Sequence, residues 1–377
     1  MNKRLSIALV GLVLSYGSLA QTIPNPPPAG ASQIAKFFPA AAVTTGGSQN
    51  LNALVTGYIT PIAEDFGALS SNGWFNTGNP HKKFGFDLSV SLNAASANSS
   101  DKYFSVPTLQ GVTYNGTLPT SSGGGKAPTA YGPEGEYPAF NFNASGGPNG
   151  TPVPIPFYGP DGGNISKDIP IGNVAVPTIN GGVGLLWNTD LRFKFTPTIT
   201  ISKTQLSGWG VGFMHDIKQH FKGLKMAPIS LSLLLAYSQL TATTDASGIY
   251  YNSSAKTSYS GQQGVGDTKS YTAQIVFSKS IPVVTFYAAV GYTSSTTNYA
   301  IKGSYYVDAA YTVFSLPGVP LLAPVTLNNP YSKDFTTGGM RLTGGLRFKF
   351  GPVFLNGDYS YYNSAGLFNM GLGFTVR

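Results

Sequence analysis

Three runs at the C-terminal end alternate apolar and polar positions almost without a break. Met340, Leu342, Gly344, Leu346, Phe348 and Phe350 share one parity, against Arg341, Thr343, Gly345, Arg347 and Lys349. After Gly351-Pro352, Val353, Leu355, Gly357, Tyr359 and Tyr361 alternate with Phe354, Asn356, Asp358, Ser360 and Tyr362. Beyond Asn363–Gly366, Phe368, Met370, Leu372, Phe374 and Val376 alternate with Asn369, Gly371, Gly373, Thr375 and Arg377. A period of two puts one parity on each face of a sheet, so each run predicts a strand with one apolar face. A water-soluble sandwich gives the same alternation. The solvent is decided by how far the pattern extends and by the rest of the composition.

The pattern recurs upstream. Phe84–Ala94 alternates cleanly, with Asp87 the one charge on its polar side, and Tyr103–Gln110 does so more weakly. Further strands are predicted near 178–187, 190–201, 206–217, 228–240, 270–279, 283–293 and 298–306. Gly111–Pro177 is dense in Gly and Pro, and reads as loops with one hidden strand. Short turns on one side of a barrel and long loops on the other fix strand direction. The long polar connection Thr241–Lys269 then lies on the outer side and the C-terminus on the inner side. Consistent direction needs one more strand near Tyr131–Phe142 and another at Asp308–Leu316. The expectation is an all-β, transmembrane antiparallel barrel of about 14 strands.

One stretch breaks the period. Leu51, Leu54, Val55, Tyr58, Ile59 and Ile62 fall at helical spacing, with Pro61 expected to limit the helix to its first turns. The segment 48–82 reads as a small helical plug in or beneath a barrel, or as a helix lying outside it. Residues 21–47, rich in Pro, Ala and Gly, read as a linker, and 83–377 as the barrel.

The N-terminus and the composition point to the membrane. Met1–Arg4, the apolar Leu5–Leu14 and Ser18-Leu19-Ala20 have the form of a secretory signal peptide spanning residues 1–20. Its core is too short to span a bilayer as a helix. Charged residues are 10% of the chain, well under the roughly 25% of ordinary soluble domains. Glycines number 47, and Tyr and Phe 22 and 23. A barrel facing lipid needs few charges and uses aromatic girdles. The expected location is therefore the outer membrane of a gram-negative bacterium, with membrane lipid as a partner. The formal charge of +8 includes Lys3 and Arg4 of the signal, and the rest is spread out. Without a basic cluster, no nucleic-acid partner is expected. The absence of cysteine excludes disulfides and thiolate metal sites.

Several motifs resemble a family of uncharacterised gram-negative outer-membrane proteins. They are Asn72-Gly73-Trp74-Phe75-Asn76-Thr77, Pro80-His81-Lys82 and Gly85-Phe86-Asp87-Leu88. Gly210-Val211-Gly212, His215–Gln219 and Gly345–Gly351 complete the set. That family looks like a relative of the FadL-type barrels, which carry long-chain fatty acids and other hydrophobic compounds. The resemblance implies 14 strands, an N-terminal hatch and lateral release into the bilayer. The compact Asn-Pro-Ala hatch motif of those transporters is not found here; Asn25-Pro26-Pro27 lies in the linker.

The functional expectation is passive uptake of a hydrophobic small molecule. The alternatives are a structural or adhesive barrel without transport, and a general diffusion porin. For uptake, Leu321 and Leu322 in the apolar loop Leu316–Asn329 are candidates for capture, or they pack inward against other loops. Arg341 and Arg347 are candidates for a carboxylate headgroup. Lys349, Asp358, Asp87 and Arg377 complete a polar lumen, with Asp87 and Arg377 pairing near the inner rim. The same residues also fit a salt-bridge network that stiffens a narrow barrel. His81, His215 and His220 lack a third metal ligand or a neighbouring nucleophile, so neither a metal, a cofactor nor an enzymatic activity is expected. The glycine clusters at 123–125 and 181–184 lack the strand–helix context of a phosphate loop.

Overall fold

The computed structural model describes residues 34–42, 46–96, 98–118, 125–144, 153–163, 174–201, 204–246, 251–252, 257–258, 261–307, 325–363 and 365–376. Ten strands form a closed ring. In chain order they are β1 Phe86–Ser96, β2 Val174–Gly184, β3 Thr189–Ile201, β4 Thr204–Asp216 and β5 Ser230–Asp245. They continue as β6 Gln263–Ser280, β7 Val284–Lys302, β8 Tyr331–Phe350, β9 Val353–Tyr362 and β10 Ala365–Val376. Every neighbour is antiparallel, and β1 closes the ring by pairing with β10, Phe86 opposite Val376. Closure leaves no free edge among these strands.

Fourteen strands are thus corrected to ten. The run 283–293 and the first part of the run 298–306 belong to one strand, β7, and Ser304–Val307 pairs outside the ring with Val325–Asn328. Tyr103–Ser105 pairs with Lys126–Pro128, outside the ring. The hidden strand exists as Tyr137–Ala144, but it pairs with Val112–Leu118 and Val153–Tyr158 in a separate three-stranded sheet. Asp308–Leu316 lies outside the described residues. The three C-terminal runs form β8, β9 and β10 as expected, with Gly345 opposite Asp358 across the Gly351-Pro352 turn.

The ring has two unlike ends. The connections 185–188, 217–229, 281–283 and 351–352 lie at one end; the two short turns between β3 and β4 and between β9 and β10 lie at the other, with the described residues of the long connections between β1 and β2, β5 and β6, and β7 and β8. On the outer face of β6, Phe277, Ile275, Ala273 and Tyr271 give way to Lys269 and Asp267. On β7, Phe286, Val290 and Tyr292 give way to Ser294, Thr296 and Asn298. On β5, Leu233, Leu235 and Tyr237 give way to Gln239 and Thr241. The switch falls on aromatic residues that touch around the wall, with ring centroids 5.6 Å apart for Trp209–Tyr237 and 5.0 Å for Tyr237–Tyr271. From Met340 to Phe350 the apolar band covers about ten residues, or about 25 Å for tilted strands.

Above that switch the wall is uneven. β6, β7 and β8 continue well beyond it, whereas β9, β10, β1 and β2 end close to it. The described residues of 98–163 stand over the low side, and with the tall strands they cover the helix α1, Gly47–Ser70. Its 24 residues run about 36 Å, and most are buried. The helix continues unbroken through Pro61, contrary to the sequence expectation. A proline there removes one backbone donor, but the surrounding packing of Tyr58, Ile59, Ile62, Ala63 and Phe66 holds the helix on both sides of it. Within the expected linker, Ile34–Ala42 forms a 3-10 helix whose Ile34, Phe37 and Phe38 are buried.

The plugged lumen as candidate functional site

The plug enters from the long-loop end and descends in three layers. The first is apolar. Leu51, Leu54, Val55, Tyr58, Ile59, Ile62 and Phe66 of α1 pack with Tyr131, Phe140, Tyr299, Tyr331 and Phe335. Polar contacts fix the register of this layer. Asn50 exchanges two hydrogen bonds with the Gln110 backbone, Nδ2 to the carbonyl and Oδ1 from the amide, each 2.8 Å. The Tyr58 hydroxyl donates to the Asp161 carbonyl at 3.0 Å, and Lys36 pairs with the Asp161 carboxylate at 2.9 Å. Tyr131 donates to Asp65 at 2.6 Å. Gly57 admits the Phe104 ring, which would lie 2.1 Å from a β-carbon placed there.

The second layer is a collar around the C-terminal end of α1. The last carbonyls of a helix lack intrahelical donors and carry partial negative charge. Here the barrel wall supplies the donors. Ser270 Oγ reaches the Gly67 carbonyl at 3.2 Å, and Ser238 Oγ the Ser70 carbonyl at 2.7 Å. Lys194 Nζ donates to the Ser70 carbonyl at 3.1 Å and to that of Asn72, and lies 4.4 Å from the Trp74 ring centre. Arg341 Nη1 donates to the Ser71 carbonyl at 3.2 Å and to its hydroxyl at 2.9 Å, and Nη2 bonds Asn72 Oδ1. Two buried cations thus face a helix C-terminus, the favourable sense of the dipole. Gly73 turns the chain at φ +72°, wedged between Asn93 and Asn369.

The third layer lies near the short-turn end. His81 Nδ1 sits 2.8 Å from Asp190 Oδ2, and Nε2 lies 3.3 Å from the Thr375 hydroxyl. The His81 backbone amide donates to Asp190 Oδ1 at 2.8 Å. Arg192 bridges Asp87 at 3.3 Å and Asp190 at 3.4 Å. All four ionisable side chains are buried. Gly78 is tied to β6 through Ser278 Oγ at 2.9 Å.

The structure brings some predicted residues together and separates others. Arg341 is inside, as its parity requires, but its guanidinium is committed to the plug. Arg347 is also buried, stacked 4.0 Å over the Phe354 ring. Asp358 accepts from Asn369 at 2.7 Å and from Tyr287 at 3.0 Å. Lys349 is half-buried toward the short-turn end of β8. Asp87 joins Arg192, and its expected partner Arg377 lies outside the described residues, as do Leu321 and Leu322. His215 and His220 do meet at the short-turn end, Nε2 to Nε2 3.0 Å, with Thr189 Oγ1 2.8 Å from His215 Nδ1. Among the described residues, no group of three or more His, Asp or Glu is arranged to hold a metal.

Asp190, Arg192 and Lys194 were missed by sequence reasoning. Their signal was legible: three charged residues share one parity of a strand whose other parity is Leu191, Phe193 and Phe195. An inward charge run of that kind marks a lumen with something to hold.

A model described as a family of unknown function (DUF6588) matches residues 12–376. No curated protein matches the sequence. Among solved structures, the translocator domain of the autotransporter NalP from Neisseria meningitidis is 10% identical, with a TM-score of 0.30, covering 86% of this chain and 98% of its own. Ail of Yersinia pestis is 13% identical at a TM-score of 0.23, covering 50% and 93%. The outer-membrane protease OmpT of Escherichia coli is 8% identical at 0.23, covering 77% and 94%. At these TM-scores the likeness carries no argument.

Proposed function

The chain belongs to this family of unknown function, DUF6588, and we propose that it is a plugged outer-membrane barrel that anchors and presents a folded outer cap. The outer face supports the membrane assignment: an apolar band about 25 Å tall ends on a line of aromatic side chains, and polar outward faces lie beyond it. On this reading the end that carries the long connections is the outer one, and the connections 185–188, 217–229, 281–283 and 351–352 face the periplasm. One observation carries the closed reading. The lumen is filled by α1 and by residues 71–85, whose carbonyls and side chains are tied to the wall by Lys194, Arg341 and the His81–Asp190–Arg192 cluster. A general diffusion porin needs an open charged lumen, and the charges here hold the plug instead. On this reading the role is structural or adhesive.

Passive uptake of a hydrophobic molecule remains the second reading, favoured by one feature. A cavity of about 530 Å³ opens at the outer mouth between Ala53 and Thr56 of α1, Phe104, Pro107 and Tyr331. Its volume suits a small ligand. Planar-bilayer conductance of the purified full chain separates these roles from a porin: the closed barrel gives no steady current, and a stable open conductance refutes it. Titration with a lipophilic panel then separates anchoring from uptake. Saturable binding that is lost in Ala53→Asp favours uptake.

A further inference from the structure

The path of the plug has a direction. Ile34–Ala42 sits among the long segments: Phe38 packs edge-on against Tyr305, ring centroids 4.9 Å apart, and Lys36 pairs with Asp161 at 2.9 Å. Both partners belong to the connections that stand above the ring, one in 303–330 and one in 97–173. Further down, Thr56 meets Tyr331 at the upper end of β8, hydroxyl to hydroxyl 2.9 Å, and Ser71 meets Arg341 half-way along the same strand. His81 reaches Thr375, next to the last described residue, Val376. Phe84 then donates its amide to Gly184 at 2.9 Å, and the chain reverses into β1. Along the whole lumen the chain therefore runs from the long-loop end to the short-turn end.

We infer that the barrel carries its own amino-terminal segment to the outer surface and displays it there. The inference rests on the membrane orientation proposed above. Given that orientation, Ile34 lies on the outer side, and from there the chain enters the lumen from outside. An export signal delivers a chain to the periplasm, on the other side of the membrane. The N-terminal segment has thus crossed the outer membrane, and the filled lumen then holds it across. Buried cations at the helix C-terminus and the ion cluster at the inner end resist its withdrawal.

The chain has no cysteine, so single cysteines report position cleanly. Three variants suffice: Thr22→Cys in the N-terminal segment, Lys333→Cys on the exposed upper part of β8, and Lys222→Cys in the exposed short-end turn. Each is expressed in a gram-negative host, checked for heat-modifiable mobility, and treated on intact cells with a 5 kDa polyethylene-glycol maleimide, which is too large for diffusion pores. The expected result is a gel shift for Thr22→Cys and Lys333→Cys, and for Lys222→Cys only after the outer membrane is permeabilised. Labelling of Lys333→Cys with protection of Thr22→Cys overturns the display inference and leaves the orientation standing. Protection of Lys333→Cys with labelling of Lys222→Cys overturns the orientation, and the inference with it.

Discussion

The upper and lower parts of the lumen solve the same packing problem by different means. Above the aromatic line, α1 is held as in a soluble core: apolar side chains meet a wall made partly of β6–β8 and partly of the described residues of 98–163. Below it, past the end of the helix, the plug is extended, and Lys194, Ser232, Ser278 and Asp190 of the ring pair its backbone. The reason is local geometry. A helix satisfies its own backbone except at its ends and elsewhere needs only apolar cover, whereas extended chain inside a barrel has backbone groups that the wall must pair throughout. The upper layer should therefore set stability, and the lower layer the seal.

That division can be broken by substitution. Phe66→Ala, at a fully enclosed site in the upper layer, should cost about 4 kcal/mol in urea unfolding while conductance stays closed. Arg341→Ala leaves the Ser71 carbonyl and Asn72 without their charged donor. It should cost about 3 kcal/mol and, unlike Phe66→Ala, open transient currents in planar bilayers. Equal leakage from both variants would dissolve the distinction between the layers. Gly57→Ala drives a methyl into the Phe104 ring, so about 2 kcal/mol is expected, together with faster proteolysis within 98–118. Lys36→Ala removes a partly screened pair at the mouth and should lower the unfolding free energy by less than about 1 kcal/mol.

Much of the wall was legible because its outward face keeps a strict apolar code along most strands. Met340–Phe350, Val353–Tyr361 and Phe368–Val376 keep that code to the end, and their hairpins were read in register. The strand count failed where the code stops. In β7 the outward residues turn polar after Tyr292 although the ladder continues to Lys302, so one strand looked like two. Tyr137–Ala144 alternates well enough for a strand, but alternation does not say which sheet a strand joins. Pro61 misled for a related reason: its cost is local, whereas the cover that compensates comes from residues far along the chain. Of the candidate site, Arg341, Arg347, Asp87 and Asp358 were placed inside correctly by parity. Their partners were not, because the plug's path through the ring has no periodic signature.

The seam between the first and last strands has a kinetic meaning. Phe86–Ser96 pairs with Gly366–Val376 across about 290 residues, so the final ladder has a very high contact order. Closing so large a loop is entropically unfavourable until the ladder forms. Until it does, the sheet exposes two unpaired edges, at β1 and at whichever strand was added last. Loss of residues 365–376 would therefore do more than shorten the protein. It would remove the hydroxyl of Thr375 beside His81, leave the cylinder an open sheet, and convert a slow folder into one prone to aggregate.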